Sequence, residues 1–427
     1  MVVQYVHLEF PAVAMDLRAR LRDVNDLTDL PSHIEVRRSG SKDERCLLIF
    51  TDATPFDNKN NSWFRQCTGT IIAPIPGSDG EGKPLGYDVV GYAGPRSLEV
   101  FVDDESAKSD EVPLSALDPT GVEWYPYVEG VRMILYSYGG EWRLSTSRVI
   151  DARTSRYFRG SPTFGEQFDA AARCAGLDMG RLDVGKCYVF IVQSRDTPMV
   201  VRYDGHDLLH VATYDMATLA EVIDCDIGVA RPAWMPLSSF QGASEGSEGS
   251  KGWDVVREML AGPIGPARLG AIARGGKNKG WHAKIMHPDY AAARDLVGGE
   301  RDLEKRMLSI AANPALKARL LTLMPEKRAA MLAVDAAIDA ATDRVHRLYV
   351  EFNVRHRRTP LPQPVYETLK ALHREYLARP FLDVGVGSQC VKTTKGKRSP
   401  MTFGDVDAFV RGLPTLALAS LVRETSS

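Results

Sequence analysis

The stretch Tyr127-Val-Glu-Gly-Val-Arg-Met-Ile-Leu-Tyr-Ser-Tyr-Gly-Gly-Glu-Trp-Arg-Leu-Ser-Thr-Ser-Arg148 decides the fold. Val131 to Ser137 and Trp142 to Ser147 are two β-prone runs flanking Gly139-Gly140. A tight turn between twisted strands needs positive φ at its centre, which glycine adopts freely. The pattern predicts an antiparallel hairpin. Upstream, strands are expected at Cys46 to Phe50, Thr68 to Ala73, Tyr87 to Tyr92 and Ser97 to Val102, separated by polar or Gly-rich loops. Leu17 to Leu30 reads as a short helix. Downstream, Thr163 to Ala175 reads as a helix, and Cys187 to Val192, Met199 to Tyr203 and Leu208 to Ala212 as strands.

After His287-Pro288 the β-branched runs give way to Ala, Leu, Arg and Glu. Ile338, Val345, Leu348, Tyr349 and Phe352 recur at helical spacing, as do Val365, Leu369, Leu372 and Tyr376. The fold class predicted is α+β, antiparallel sheets followed by an all-helical C-terminal domain. The expected limits are an N-terminal extension at 1–62, a core at 63–289 and a helical domain at 290–427. Ser238 to Gly252 carries a Ser-Glu-Gly repeat that cannot bury apolar surface, and reads as a flexible loop.

Composition narrows the function classes. The chain has 427 residues, 44% hydrophobic and 25% charged, with a formal net charge of −2. An anionic partner must therefore be held by local basic patches, not by a global field. Such patches occur at Arg355-His-Arg-Arg358 and Lys392 to Arg398, and RNA is the partner they suit. Gly275-Gly276 before Lys277 suggests a phosphate nest but lacks the setting of a phosphate-binding loop. Six scattered cysteines, with no Cys-x-x-Cys pair, fit neither a zinc site nor a disulfide framework; a reducing, intracellular setting is expected. His282 and His287 lack metal-ligand spacing and are expected at the surface. No metal-ligand set is read from the chain. No run approaches the length of a membrane span.

Tyr127-Val-Glu-Gly130, the hairpin and Ser145-Thr-Ser-Arg148 together resemble the covalent nucleotidyltransferases, RNA ligases in particular. In that family a lysine in a Lys-x-Asp/Glu-Gly motif attacks the α-phosphate of ATP or GTP, the acid contacts the ribose, and a Ser/Thr-Arg/Lys motif faces the phosphates. Phe64-Arg-Gln-Cys-Thr-Gly-Thr-Ile-Ile72, Tyr188 to Val201 and Trp281-His-Ala-Lys-Ile-Met-His-Pro-Asp-Tyr290 are similar to further segments of the family, in the family's order. The RNA-ligase-like proteins of large DNA viruses are similar in having a Glu-Gly hairpin, a Ser-Thr-x-Arg strand and a helical C-terminal part. The resemblance implies a nucleotidyltransferase core, ATP with Mg²⁺ as cofactors, and Glu129, Gly130, Ser145, Arg148 and Lys284 as nucleotide-binding residues. It also implies that Glu129-Gly130 and Ser145 to Arg148 lie on neighbouring strands of one cleft, with Lys284 entering from a third.

Four positions depart from the family. Tyr127 stands where the nucleophilic lysine is expected, and no lysine lies between Lys108 and Lys186. A phenol with an ordinary pKa near ~10 is a poor nucleophile at neutral pH. Ile191 and Leu269 stand where acids are expected, and Met286 replaces the second lysine of the last motif. The expectation is an RNA-ligase-like protein that binds a nucleoside triphosphate and RNA 5′-phosphate ends with its ligase activity degenerate. The alternative is a non-catalytic scaffold, such as a virion component, that keeps the fold.

Overall fold

The computed structural model describes residues 14–38, 44–50, 63–77, 84–101, 112–113, 122–157, 160–197, 199–232, 260, 262, 269–274, 282–298, 303–357, 359–380 and 398–426. The loop expected at 238–252, Gly275-Gly276-Lys277, Trp281, Arg358 and 392–397 lie outside them. The chain divides into two units, Met1–Ala292 and Ala293–Ser427.

In the first unit, helix α1 (Ala14–Arg22) precedes strands β1 (Ile34–Arg38) and β2 (Cys46–Phe50). A short helix, α2 (Phe64–Cys67), leads to β3 (Thr70–Pro74) and β4 (Tyr87–Gly91). These four strands form one antiparallel sheet in sequence order. Residues expected as a separate extension thus supply half the strands of the first sheet. Their side chains Leu47, Leu48 and Ile49 are buried in its core.

Strands β5 (Leu98–Phe101), β6 (Val112–Pro113) and β7 (Glu123–Pro126) belong to another sheet, completed much later in the chain. The hairpin follows as β8 (Val131–Tyr138) and β9 (Glu141–Thr146), paired from Met133↔Thr146 to Tyr138↔Glu141. Gly139 and Gly140 have φ of 63° and 77°, the positive values that a two-residue hairpin turn requires. Helix α3 (Phe164–Ala175) starts at a capping box, with Thr163 Oγ1 accepting the Glu166 amide and the Glu166 carboxylate accepting the Thr163 amide. Strands β10 (Lys186–Ser194) and β11 (His206–Asp215) join the hairpin in a sheet of order β11-β10-β8-β9.

This second sheet is covered on both faces, which is why its central strands read as continuous apolar runs. Ile134, Tyr136, Cys187, Val189, Ala212 and Tyr214 share a core with the first sheet and α1. Met133, Leu135, Leu144, Tyr188 and Phe190 pack with Phe164, Phe168 and Ala171 of α3. Strands β12 (Gly270–Arg274) and β13 (His282–Met286) complete the third sheet, of order β6-β5-β13-β12-β7. Helix α4 (Pro288–Val297) crosses the boundary between the units.

The second unit is helical: α5 (Leu303–Ala311), α6 (Pro314–Leu323), α7 (Arg328–Tyr349), α8 (Gln363–Ala378), α9 (Phe403–Arg411) and α10 (Thr415–Ser426). Met331, Ile338, Ala341, Val345 and Tyr349 form the buried stripe of α7. That helix packs against α9 and α10. It ends in a π-helical turn, Val350–Val354, and Pro364 starts α8 in the first turn, where a missing amide hydrogen costs nothing.

Nothing lies within 4 Å of a Cβ placed at Gly139 or Gly140, so a side chain there would meet only backbone strain. Replacing both glycines with alanine is expected to cost about 2–4 kcal/mol, since each left-handed residue costs roughly 1–2 kcal/mol. Gly139→Asn alone should cost far less. Urea titration of both variants checks this, and equal stabilities would show that the turn is not held as described.

Candidate functional site

Glu129 sits two residues before β8 and is 3% exposed. Its carboxylate accepts the backbone amides of Val200 (3.1 Å to each oxygen) and Val201 (2.9 Å to Oε1). Its carbonyl accepts the Tyr203 hydroxyl at 2.8 Å and Gln193 Nε2 at 3.1 Å. The Tyr290 phenol is pushed far up from its ordinary value by burial first, then by Tyr127 and Glu129, with both of which it shares side-chain hydrogen bonds. The rings of Tyr127 and Tyr290 lie 5.5 Å apart. Tyr127 therefore packs, its ring tilted 57° to that of Tyr290, in a tyrosine–carboxylate knot.

The Met199 to Tyr203 run is consequently not a strand. The amides that a ladder would use are taken by Glu129, and the segment is a series of bends. Gly130 allows the close approach beneath it: a Cβ there would lie 2.5 Å from Ile191 Cγ2 and 2.6 Å from the Val192 carbonyl oxygen.

Ser145 lies on β9 opposite Ile134 and therefore on the face turned to the first sheet. It is 0% exposed, and its hydroxyl has no hydrogen-bond partner among the described residues. Arg148 lies past the end of β9, where Thr146 Oγ1 accepts the amides of Arg148 (3.2 Å) and Val149 (3.0 Å). Its side chain is exposed, and its carbonyl accepts an Arg37 guanidinium hydrogen at 2.8 Å. Arg37's hydrogen bond holds the Glu35 carboxyl below its ordinary value, and Arg148 adds to that effect. The hairpin thus forms in the expected register. Glu129-Gly130 and Arg148 flank its ladder from outside.

The third sheet has one apolar and one polar face. Trp124, Ala271, Ala273, Ala283, Ile285 and Val100 alternate onto the buried face. The cross-strand pairs Arg274↔His282, Ile272↔Lys284, Ile272↔Tyr125 and Lys284↔Glu99 define the other. Lys284 Nζ is 2.7 Å from Glu99 Oε1. Arg274 lies 2.9 Å from Glu221 Oε1, donates to the Val211 carbonyl at 3.2 Å, and stands 4.9 Å from the Tyr125 ring centroid.

Arg132, on β8, faces the same neighbourhood. Its guanidinium donates to the Ala93 carbonyl, its only hydrogen bond among the described residues. Burial lowers it from its ordinary value, with Tyr214, Arg274, Tyr92 and Glu221 close enough to act on it. His282 is pushed down to about 3 by burial, then by Arg274 and Arg132. Its Nε2 is 3.8 Å from Glu221 Oε2. His282 and His287, expected at the surface, are both inside: His287 is 3% exposed, with its ring bonded to Gly262 and to the Asp289 amide at the start of α4. The reason is local pairing, which metal-ligand spacing does not register.

The structure therefore assembles Arg132, Arg274, His282 and Lys284, of which the resemblance had marked only Lys284. Arg132 had a signal in sequence. It occurs two residues after Gly130 on a strand whose same-face neighbours, Ile134 and Tyr136, are apolar. Arg274 and Glu221 meet across a separation of 53 residues, which no local pattern encodes.

A nucleotide's phosphates fit this group, because the Arg132 guanidinium has no carboxylate partner among the described residues. Among the described residues no group of three or more His, Cys, Asp or Glu side chains could hold a metal ion, and the Glu129 carboxylate accepts the Val200 and Val201 amides.

No protein-family profile matches the chain, and no curated protein matches it. Structural neighbours are ATP-dependent RNA and DNA ligases, at low similarity. An RNA ligase of Naegleria gruberi, a variant with ATP and Mn, is 14% identical with a TM-score of 0.30, covering 47% of this chain and 61% of that one. This chain thus spans less than two thirds of that ligase. A putative ATP-dependent DNA ligase from Aquifex aeolicus is 12% identical with a TM-score of 0.36, covering 80% and 85%. An archaeal ATP-dependent RNA ligase is 14% identical with a TM-score of 0.35, covering 72% and 76%. No helix among the described residues is long and apolar enough to cross a membrane.

Glu129→Ala would strand the buried amides of Val200 and Val201. Unmade buried hydrogen bonds cost about 1–3 kcal/mol each. A loss of about 2–5 kcal/mol is expected, with faster proteolysis in the 199–203 segment. Thermal melting and limited proteolysis with mass mapping measure both, and wild-type protection of that segment would count against the latch.

Proposed function

We propose that this chain is an RNA-ligase-like protein. It binds a nucleoside triphosphate and RNA 5′-phosphate ends at the polar face of the third sheet, and its ligase chemistry is degenerate. The observation that supports this most is the half-buried Arg132 guanidinium, which acts with Arg274 on His282 and has the Ala93 carbonyl as its one hydrogen-bond partner among the described residues. Arg274 and Lys284 are each paired with a carboxylate, Glu221 and Glu99, whereas Arg132 has none among the described residues. A phosphate oxygen would supply that partner, and each charge-assisted hydrogen bond contributes roughly 1.5–3 kcal/mol.

Degeneracy rests on two features. Tyr127 is engaged with Tyr290, and the Glu129 carboxylate, expected to meet ribose, is engaged with its own chain. That self-satisfaction also favours a second reading, a scaffold that keeps the ligase fold without its chemistry. Ser145 and Arg148 remain nucleotide contacts only if the hairpin end rearranges around a ligand. RNA would be held through the basic turn at Arg355 and Arg357, both paired to Glu351, and the cluster at 392–398. Kinship with the RNA-ligase-like proteins of large DNA viruses, and a virion setting, rest on motif order alone. A reducing compartment suits the five described cysteines, all of them free.

Calorimetric titration with ATP and GTP tests the proposal. Binding in the high micromolar to millimolar range is expected, weakened about tenfold or more by Arg132→Met, which removes at least one such bond worth roughly 1.4 kcal/mol or more. RNA binding should weaken steeply with salt. Sealing of 5′-phosphorylated RNA with ATP and Mg²⁺ should be negligible. Robust sealing abolished by Glu129→Ala would overturn degeneracy. Absence of nucleotide binding at millimolar concentration would leave the scaffold.

A further inference from the structure

We propose that His282 accepts the nucleotidyl group in this chain, the half-reaction that the residue at Tyr127 cannot perform. The inference rests on the nucleotide reading of the third sheet's polar face and deepens it. Two nitrogen nucleophiles occupy that face among the described residues, Lys284 and His282. Lys284 Nζ donates to the Glu99 carboxylate at 2.7 Å and is held in that ion pair. His282 differs in each respect that matters. Its ring makes no hydrogen bond among the described residues, its nearest charged partner is Glu221 at 3.8 Å, and it sits directly across the strands from Arg274. Burial and the two arginines keep the imidazole unprotonated at neutral pH.

The same arrangement provides for the rest of the step. Arg274 pairs across the strands with His282 and, together with Arg132, acts on the ring electrostatically, supplying the positive charge that an α-phosphate and a departing pyrophosphate need. The lone pair of the ring nitrogen turned away from Glu221 attacks the α-phosphorus, forming an N–P bond. The bond from the α-phosphorus to the bridging oxygen breaks, and pyrophosphate leaves with that electron pair. The ring proton on Nε2 passes toward Glu221 and to solvent. The product is a nucleotidyl-imidazole, balanced with nucleoside triphosphate as the sole co-reactant. Glu221 acts here as a positioning residue, since it also fixes Arg274 at 2.9 Å. The charged groups facing His282 are Arg274, Arg132 and Glu221, with Lys284, Glu99 and Glu123 farther along the same face.

The test incubates the full chain with each of the four ribonucleoside triphosphates labelled at the α-phosphate, with Mg²⁺, and maps the label by peptide mass spectrometry under alkaline conditions, which phosphoramidates survive. Nucleotide binding is titrated in parallel on the wild type and on His282→Gln. The expected result is acid-labile label on the peptide bearing His282 in the wild type. In His282→Gln, at nucleotide concentrations that saturate it by that titration, the label should fall at least a hundredfold. Label on another residue overturns the proposal. So does bound nucleotide with no label. No bound nucleotide at all overturns the underlying reading instead, so the two failures are distinguishable. The wild-type map decides the question even if His282→Gln fails to fold.

Discussion

A single buried carboxylate ties the first unit together at the point where its elements converge. Glu129 precedes β8, gathers the amides of Val200 and Val201, and lies against the phenol of Tyr290 at the start of α4. A carboxylate removed from water is costly unless its oxygens are filled, and here they are filled by parts of the chain distant in sequence. The bend at 199–203, the entry of the hairpin and the first turn of α4 all follow from that one requirement. The same bonds keep Glu129 from serving a ligand in this conformation.

The second linkage is electrostatic. Arg274 reaches from the third sheet to Glu221 and to the Val211 carbonyl of β11. This contact joins sheets that share no strand. It also places Arg132 and His282 in one field, where burial lowers both from their ordinary values.

Much of the first unit was legible because its signals are local. The Gly139-Gly140 turn, the alternation along β8 and β9, and Thr163 followed by Glu166 each specify an element within a few residues. The α7 and α8 stripes were legible for the same reason. The 199–203 run misled because Met-Val-Val is β-prone by composition, while its amides answer to a carboxylate 71 residues away. Cys46 to Phe50 read as a strand, but its membership of the first sheet depends on pairing with β3, which periodicity does not reveal, and Ile34–Arg38 was missed because only its pairing with β2 marks it as a strand. Within the candidate site, Lys284 was marked by its motif. Arg132 and Arg274 were passed over because a lone arginine on a strand most often faces solvent. What distinguishes them is the company that tertiary structure brings.

The third sheet has a consequence for how the protein comes into being. Its strands come from residues 98–126 and again from 270–286, and β5 pairs in parallel with β13. On a ribosome, the earlier strands emerge long before their partners exist, with their edges open to wrong pairing. Loop closure over such separations is slow compared with forming a hairpin. The charged face is therefore the last part of the first unit to be assembled. A chain cut short before β13 lacks the strand that carries His282 and Lys284, which leaves the charged face incomplete.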